Sequence, residues 1–279
     1  MAAGPPRVRP RAYRALRWRG PDGARIRAIA DSTAHSSHAS PPPGTTTLPL
    51  RQGPVARLLL AALAGAAMLP AVVYPLVGDA PAALTVALTA YLAAAALSAA
   101  LMRRGYPHRD LGLCNLVTLA RLVLASALLA PLVGPGAAGP IVAVALLALM
   151  LDGVDGWLAR RQGRESAFGA RFDMEVDAAF GLVLAVNALA AGHAGPGVLL
   201  LGLPRYLFAA AARRWSWLAR PLPERLGRKI VCVLQITVLI ALQVPTLASA
   251  LAPALVSATL ALLGWSFGRD VAWLWRARS

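Results

Sequence analysis

Residues 152–177 read DGVDGWLARRQGRESAFGARFDMEVD, an island of charge in an otherwise apolar chain. On either side, 122–151 and 178–204 contain no Asp, Glu, Lys or Arg, and neither does 230–268. Between 58 and 102 the one charged residue is Asp79. A helix needs about 20 such residues to cross the ~30 Å hydrocarbon core of a bilayer. Across 279 residues, hydrophobic side chains make up 58% and charged ones 14%, with a mean hydropathy of +0.60. A soluble domain carries about 25% charged residues. The fold class is therefore an all-α integral membrane protein.

Working outward from the charged island, the apolar runs predict eight helices, near 55–77, 81–102, 115–134, 139–162, 168–192, 197–214, 226–246 and 250–275. Residues 54–104 hold two transmembrane helices ahead of a core over 105–279, and 1–53 form an Arg/Pro/Ser-rich tail. Within that tail, Ser32–Thr47 has no apolar periodicity to offset the entropy of ordering it, so a disordered cytoplasmic tail is expected. It lacks the apolar core and small-residue cleavage site of a secretory signal.

The net charge of +16 raises the question of nucleic-acid binding, but the distribution of the basic residues argues against it. They gather before the first run and in alternate loops: Arg103, Arg104 and Arg109; Arg160, Arg161 and Arg164; Arg213 to Lys229; Arg269, Arg276 and Arg278. The opposite loops, near 78–80, 135–138, 193–196 and 247–249, contain none. The positive-inside rule then places both termini in the cytoplasm and assigns the basic residues to topology and contact with membrane lipids. Lys229 is the one lysine among 28 basic residues, which, with the abundance of Ala, suggests a GC-rich bacterial genome and a bacterial cytoplasmic membrane. Cys114 and Cys232 have no metal-site or disulfide spacing.

Acidic residues are scarce, 12 in all, yet Asp152, Asp155, Asp173, Glu175 and Asp177 fall within the quoted stretch. Asp152 and Asp155, spaced i, i+3, share one face of the fourth helix. Gly169, Asp173 and Asp177, spaced i, i+4, i+8, share one face of the fifth. A short turn between these helices makes them antiparallel neighbours and can bring the four aspartates together. Carboxylates crowded in a poorly hydrated place repel one another, and divalent cations remove that difficulty. Oxygen-only ligands favour Mg²⁺ or Mn²⁺ over zinc, and a pair of such ions is a known clamp for phosphoryl chemistry. Glu175 lies about 200° around the helix from Asp173 and is left out of the metal set.

Gly156 and Gly169 flank the aspartates, where the absence of a side chain admits either a substrate or a neighbouring helix. Arg160, one turn beyond Gly156, is placed for a charge-assisted bond to phosphate. Arg121, Arg171 and Arg205 lie inside predicted helices. The first two are close enough to a helix end to reach the headgroups. Arg205 follows Pro204, is deeper, and needs a phosphate or carboxylate partner.

The pattern Asp152, Asp155, Gly156, Ala159, Arg160, Gly169, Asp173, Asp177, at these spacings, resembles the signature of the CDP-alcohol phosphotransferase family, and all eight positions match. The resemblance covers about residues 110–275 and implies a six-helix core, with the first two helices and the tail as additions. It implies that Asp152, Asp155, Asp173 and Asp177 are ligands of a two-metal site and that Asp177 is also the general base. Asn115, Thr118 and Arg121 are similar to the family's Asn-x-x-Thr-x-x-Arg pattern; with Gly156, Ala159, Arg160 and Gly169 they are the expected CDP-alcohol-binding set. Arg205, Arg213 and Lys229 resemble its acceptor- or phosphate-binding positions.

What the resemblance implies is transfer of a substituted phosphate from a CDP-alcohol, with CDP-diacylglycerol expected, to a polar alcohol, with release of CMP. A homodimer is a further expectation it carries. Met174 and Ala178 stand where glycerol-phosphate-using relatives commonly have Pro and Lys, which leaves the acceptor open among glycerol phosphate, inositol phosphate, serine and other alcohols. The competing reading is a cation-coupled transporter that uses the aspartates. It would call for broken helices in two related halves, and no internal repeat is evident.

Overall fold

The computed structural model describes residues 53–163, 166–220 and 226–276. Nearly all of the expected tail, together with Arg164 and Arg278, lies outside the described residues. Among the described residues every regular element is a helix. The elements are α1 (Pro54–Val77), α2 (Pro81–Arg103), α3 (Leu113–Ala127), α4 (Ala138–Gln162), α5 (Ala167–Ala190), α6 (Leu199–Gly202), α7 (Pro204–Arg214), α8 (Leu226–Ala241) and α9 (Pro245–Arg276).

Five stretches are long and apolar enough to span a membrane: α1, α2, Leu113–Leu132, α4 and α9. The other three expected spans depart from that standard, each for a visible reason. Helix α5 has the length, but Arg171, Asp173, Glu175 and Asp177 occupy its first half. Helix α8 is 16 residues long. The expected sixth helix over 197–214 is broken at Leu203 into α6 and α7, because Pro204 cannot donate the backbone hydrogen bond that would carry the helix through. The boundary of the third also shifts: α3 stops at Ala127, and a 3-10 turn over Ala130–Leu132 follows.

Helix α3 is the hub. Most of its side chains are buried, and α1, α2, α4 and α5 all pack on it. The two added helices are joined by Tyr91 of α2, which is fully buried and donates its hydroxyl to the carbonyl of Ala62 at 3.1 Å. They are tied to the core as well, since the N–H of Ala137, just before α4, donates to Leu76 O at 2.9 Å. Exposed apolar side chains such as Leu60, Leu63, Leu97, Met150 and Trp265 give the outside the character of a lipid-facing surface.

Between helices in hydrocarbon, attraction comes from close packing and from polar side chains that find backbone partners. Asn187 of α5 donates to Leu128 O at 2.7 Å, and Gln243 donates to Leu184 O at 3.0 Å. Among the described glycines the closest approach to another helix's backbone is at Gly202, where a Cβ would lie 2.8 Å from the Cα of Leu182. Gly202→Ala is expected to destabilise the protein by about 1–3 kcal/mol through overpacking. Gly264→Ala, with nothing within 4 Å of the added carbon, is expected to leave stability unchanged or raise it by up to about 1 kcal/mol. Thermal unfolding of both variants in the same detergent checks the opposite signs.

Candidate active site

The site assembles around Arg121, a residue that is 2% exposed. Its Nη1 donates to Asp155 Oδ2 at 2.8 Å and to Asp173 Oδ1 at 2.5 Å. Its Nη2 reaches Asp152 Oδ1 at 2.8 Å and also contacts Asp177. Three helices therefore contribute. The i, i+3 pair comes from α4, the i, i+4 pair from α5, and the guanidinium from α3 between them. One turn before Arg121, Thr118 Oγ1 lies 3.2 Å from Asp155 Oδ2 and 3.1 Å from the carbonyl of Cys114. Asp155 is itself buried, and its other oxygen accepts from the N–H of Gly156 at 2.6 Å.

The start of α3 explains how Arg121 is held. Gly112, at a φ of 77°, turns the chain into the helix through a conformation that side chains disfavour. Asn115 then donates to Leu111 O at 2.6 Å and to the Tyr106 hydroxyl at 3.1 Å, so this residue braces the turn. Gly169 lets α5 come close, since a Cβ there would lie 3.3 Å from Asn115 Oδ1. The helix begins with a cap that sequence reasoning passed over: Ser166 Oγ accepts from Gly169 N at 3.0 Å.

The aspartates carry more negative charge than Arg121 balances. Four carboxylates and one guanidinium leave a formal charge of −3 within the cluster. Asp152, Asp155 and Asp173 can each turn an oxygen to within 4.8 Å of the others, close enough to hold a cation. Asp177 stands outside this trio and joins it through Arg121. An all-oxygen set with surplus negative charge suits a hard divalent ion.

Beside the cluster a cavity of about 310 Å³ is lined by Arg121, Asp152 and Asp177, by Arg205 and Arg228, and by apolar side chains such as Phe180 and Ile236. Arg205 is half-buried rather than deep, because the break at Leu203 sets it on the short helix α7, and it donates to Glu175 at 2.6 Å. The acidic residue set aside by helical phase thus faces another cation. Arg213 and Lys229 are exposed and outside the cavity lining, while the neighbouring Arg228 is part of it. Arg160 is exposed and runs alongside Gly156, with its Nη1 3.5 Å from where a Cβ would be. The side chain of Ala159 lies outside the described residues.

The sequence model of the CDP-alcohol phosphatidyltransferase family matches residues 111–267, more than half of the chain. The chain belongs to the CDP-alcohol phosphatidyltransferase family. No curated protein and no solved structure gives a significant match. The CDP-alcohol phosphatidyltransferase region starts two residues before α3 and ends inside α9, so it holds the four aspartates, Arg121 and the cavity. Helices α1 and α2 lie outside it, as does Asp270 near the end of α9.

Cation binding has a consequence for stability that can be read without any substrate. Mn²⁺ or Mg²⁺ at about 100 times its dissociation constant is expected to stabilise the protein by about 2.7 kcal/mol. The gain should vanish in Asp155→Asn. Arg121→Met is expected to cost about 3–5 kcal/mol in a chelator, because the carboxylates lose their one counter-charge, and Mn²⁺ should recover part of the loss. Thermal midpoints in detergent, with and without the ion, test all three.

Proposed function

We propose that the protein transfers the phosphatidyl group of CDP-diacylglycerol to the hydroxyl of a polar alcohol, releasing CMP, as a step of phospholipid biosynthesis. Family membership supports the reaction class. The observation that carries the reading is the meeting of two features: the aspartates that share Arg121 include two, Asp152 and Asp177, that also line a cavity large enough for a small alcohol.

Asp152, Asp155, Asp173 and Asp177 would hold Mg²⁺ or Mn²⁺, as two ions. When bound, these supply charge stabilisation to a diphosphate and to the departing CMP. The protein's own residues do the rest. Arg121 gathers carboxylates from two helices around one guanidinium and offsets part of their mutual repulsion, which pre-organises the site before substrate arrives. Thr118 adds a hydroxyl toward Asp155 and fixes its orientation. Asp177 is proposed as the general base. The acceptor oxygen attacks the phosphorus that bears the lipid alcohol, its proton passes to Asp177, and the bond from that phosphorus to the CMP oxygen breaks.

Gly156, Ala159, Arg160, Gly169 and Asn115 are proposed to form the nucleotide side with Thr118 and Arg121, and Arg205 the acceptor side, where it lines the cavity. Arg213 and Lys229, both exposed, are proposed to meet anionic groups arriving from the membrane surface. The site is proposed to face the cytoplasm of a bacterial cell, since the basic loops flank the aspartates in sequence. A homodimer completes the proposal.

Purified protein given CDP-diacylglycerol, Mg²⁺ or Mn²⁺ and a panel of polar alcohols is expected to release CMP. Asp177→Asn should lower the rate by about 10²–10⁴-fold, the range of a lost general base. CMP release at the wild-type rate in that variant would remove Asp177 from the chemistry. The absence of release with every alcohol, from folded protein that binds the ion, would sink the proposed donor and acceptor.

A further inference from the structure

Helix α2 packs closely on α1 and α3 but sparsely on α5, and the gap it leaves beside α5 is a second cavity, of about 120 Å³. Leu97, Ser98 and Leu101 of α2 form one wall, and Leu122 of α3 joins them. The other wall is two neighbouring rows of α5 spaced i, i+4, i+8: Phe168, Phe172 and Val176, then Arg171, Glu175 and Ala179. Ser98 donates its hydroxyl to Ala94 O at 2.8 Å, so the α2 wall offers no polar group of its own. Leu97 is 62% exposed, so the slot borders the lipid. It shares no lining residue with the cavity that holds Asp177.

These features narrow the occupant. From Phe168 to Ala179 the α5 wall runs about 16 Å, at 1.5 Å per residue. That is about half of the ~30 Å hydrocarbon core, the depth of one leaflet. Pockets that enclose a whole small molecule hold about 300–1,000 Å³, so this slot takes a slim part of something that otherwise lies in the bilayer. At its outer end Arg171, one turn inside α5, is exposed and has no hydrogen bond or ion pair among the described residues. Glu175, the acidic residue of the lining, is already engaged by Arg205. Arg103 and Arg104, exposed at the end of α2, add positive charge at the same end. An apolar slot one leaflet deep, headed by an unpaired guanidinium, has the chemistry of a lipid chain below a phosphate.

We propose that the slot between α2 and α5 binds an anionic phospholipid of the surrounding bilayer, with one acyl chain along Phe172 and Val176 and its phosphate on Arg171. Helix α2 lies outside the family-matched region, so the site is built by this chain's added helices and does not depend on the transfer reaction proposed above.

The test uses the full chain in phosphatidylcholine nanodiscs that contain a trace of phosphatidylglycerol with a photoreactive group in one acyl chain. A matched probe carries the phosphatidylcholine headgroup. After irradiation, labelled peptides are mapped by mass spectrometry. The phosphatidylglycerol probe should label 94–101 and 168–179 several-fold more than the matched probe. Arg171→Gln should lower that labelling about tenfold, the loss expected for a charge-assisted bond, and leave the thermal midpoint unchanged because the side chain is exposed. Arg171→Lys keeps the charge and should retain most of the labelling, while Arg161→Gln on α4 should not alter it. Ala179→Phe fills the slot, keeps the arginine, and should also lower labelling.

Equal labelling by the two probes, or undiminished labelling in Arg171→Gln, overturns the proposal. Undiminished labelling in Ala179→Phe places the chain outside the slot and does the same. Slot peptides left unlabelled while other lipid-facing peptides react would mean that a second copy or another helix covers the slot, which also sinks the idea.

Discussion

One guanidinium holds four carboxylates that would otherwise push apart. Arg121 is at the centre of the most buried helix, and α4 and α5 pack against that helix with their acidic faces turned to it. Remove the cation and like charges at the ends of two neighbouring helices repel in a place where water is scarce. The packing of the core and the chemistry of the site thus rest on the same side chain. This is also why Gly112, Asn115 and Gly169 matter although none of them touches a carboxylate in the hydrogen-bond network: each sets the height or the distance at which α3 meets its neighbours.

Much of this was legible in the sequence because membrane helices are written in long, plain runs. Apolar length gave the spans, and the spacings of Asp152, Asp155, Asp173 and Asp177 gave two helix faces that the short turn brings together. Family membership followed from the same residues and is borne out over 111–267. The unreadable parts depend on which way a helix is rotated and on what another helix brings to it. Glu175 was set apart from the cluster by its phase, but the phase alone could not say that it faces Arg205 across thirty positions. Lys229 stood out by its chemistry, yet it is the preceding Arg228 that lines the cavity. Asp270, isolated at the end of an apolar run, has meaning only once α9 is laid beside α8.

The added helices show how little a bilayer needs from hydrophobicity to attach one pair of helices to another. Their apolar surfaces would be equally at home in lipid, so what ties them to the core is shape and a few polar contacts. Ala137, just before α4, supplies such a contact through a backbone carbonyl of α1. Arg57, at the start of α1, adds one more by pairing with Asp110 just ahead of α3 at 2.5 Å. The pair is therefore part of the wall behind the site's central helix.

Within three residues the chain passes from a close backbone contact between helices to a helix with no buried side chain at all. Gly202 sets its backbone against Leu182 of α5, Pro204 interrupts the ladder, and α7 goes on without a single buried residue. Mechanically this is an asymmetric joint, pinned by backbone contact on one side and held on the other by side chains, Arg205 to Glu175 and Phe208 to Phe267. Arg205 cannot leave the cavity wall without breaking its ion pair with Glu175, so α7 is registered to the aspartate-bearing helix α5 through one side chain, where α6 is registered to it through backbone.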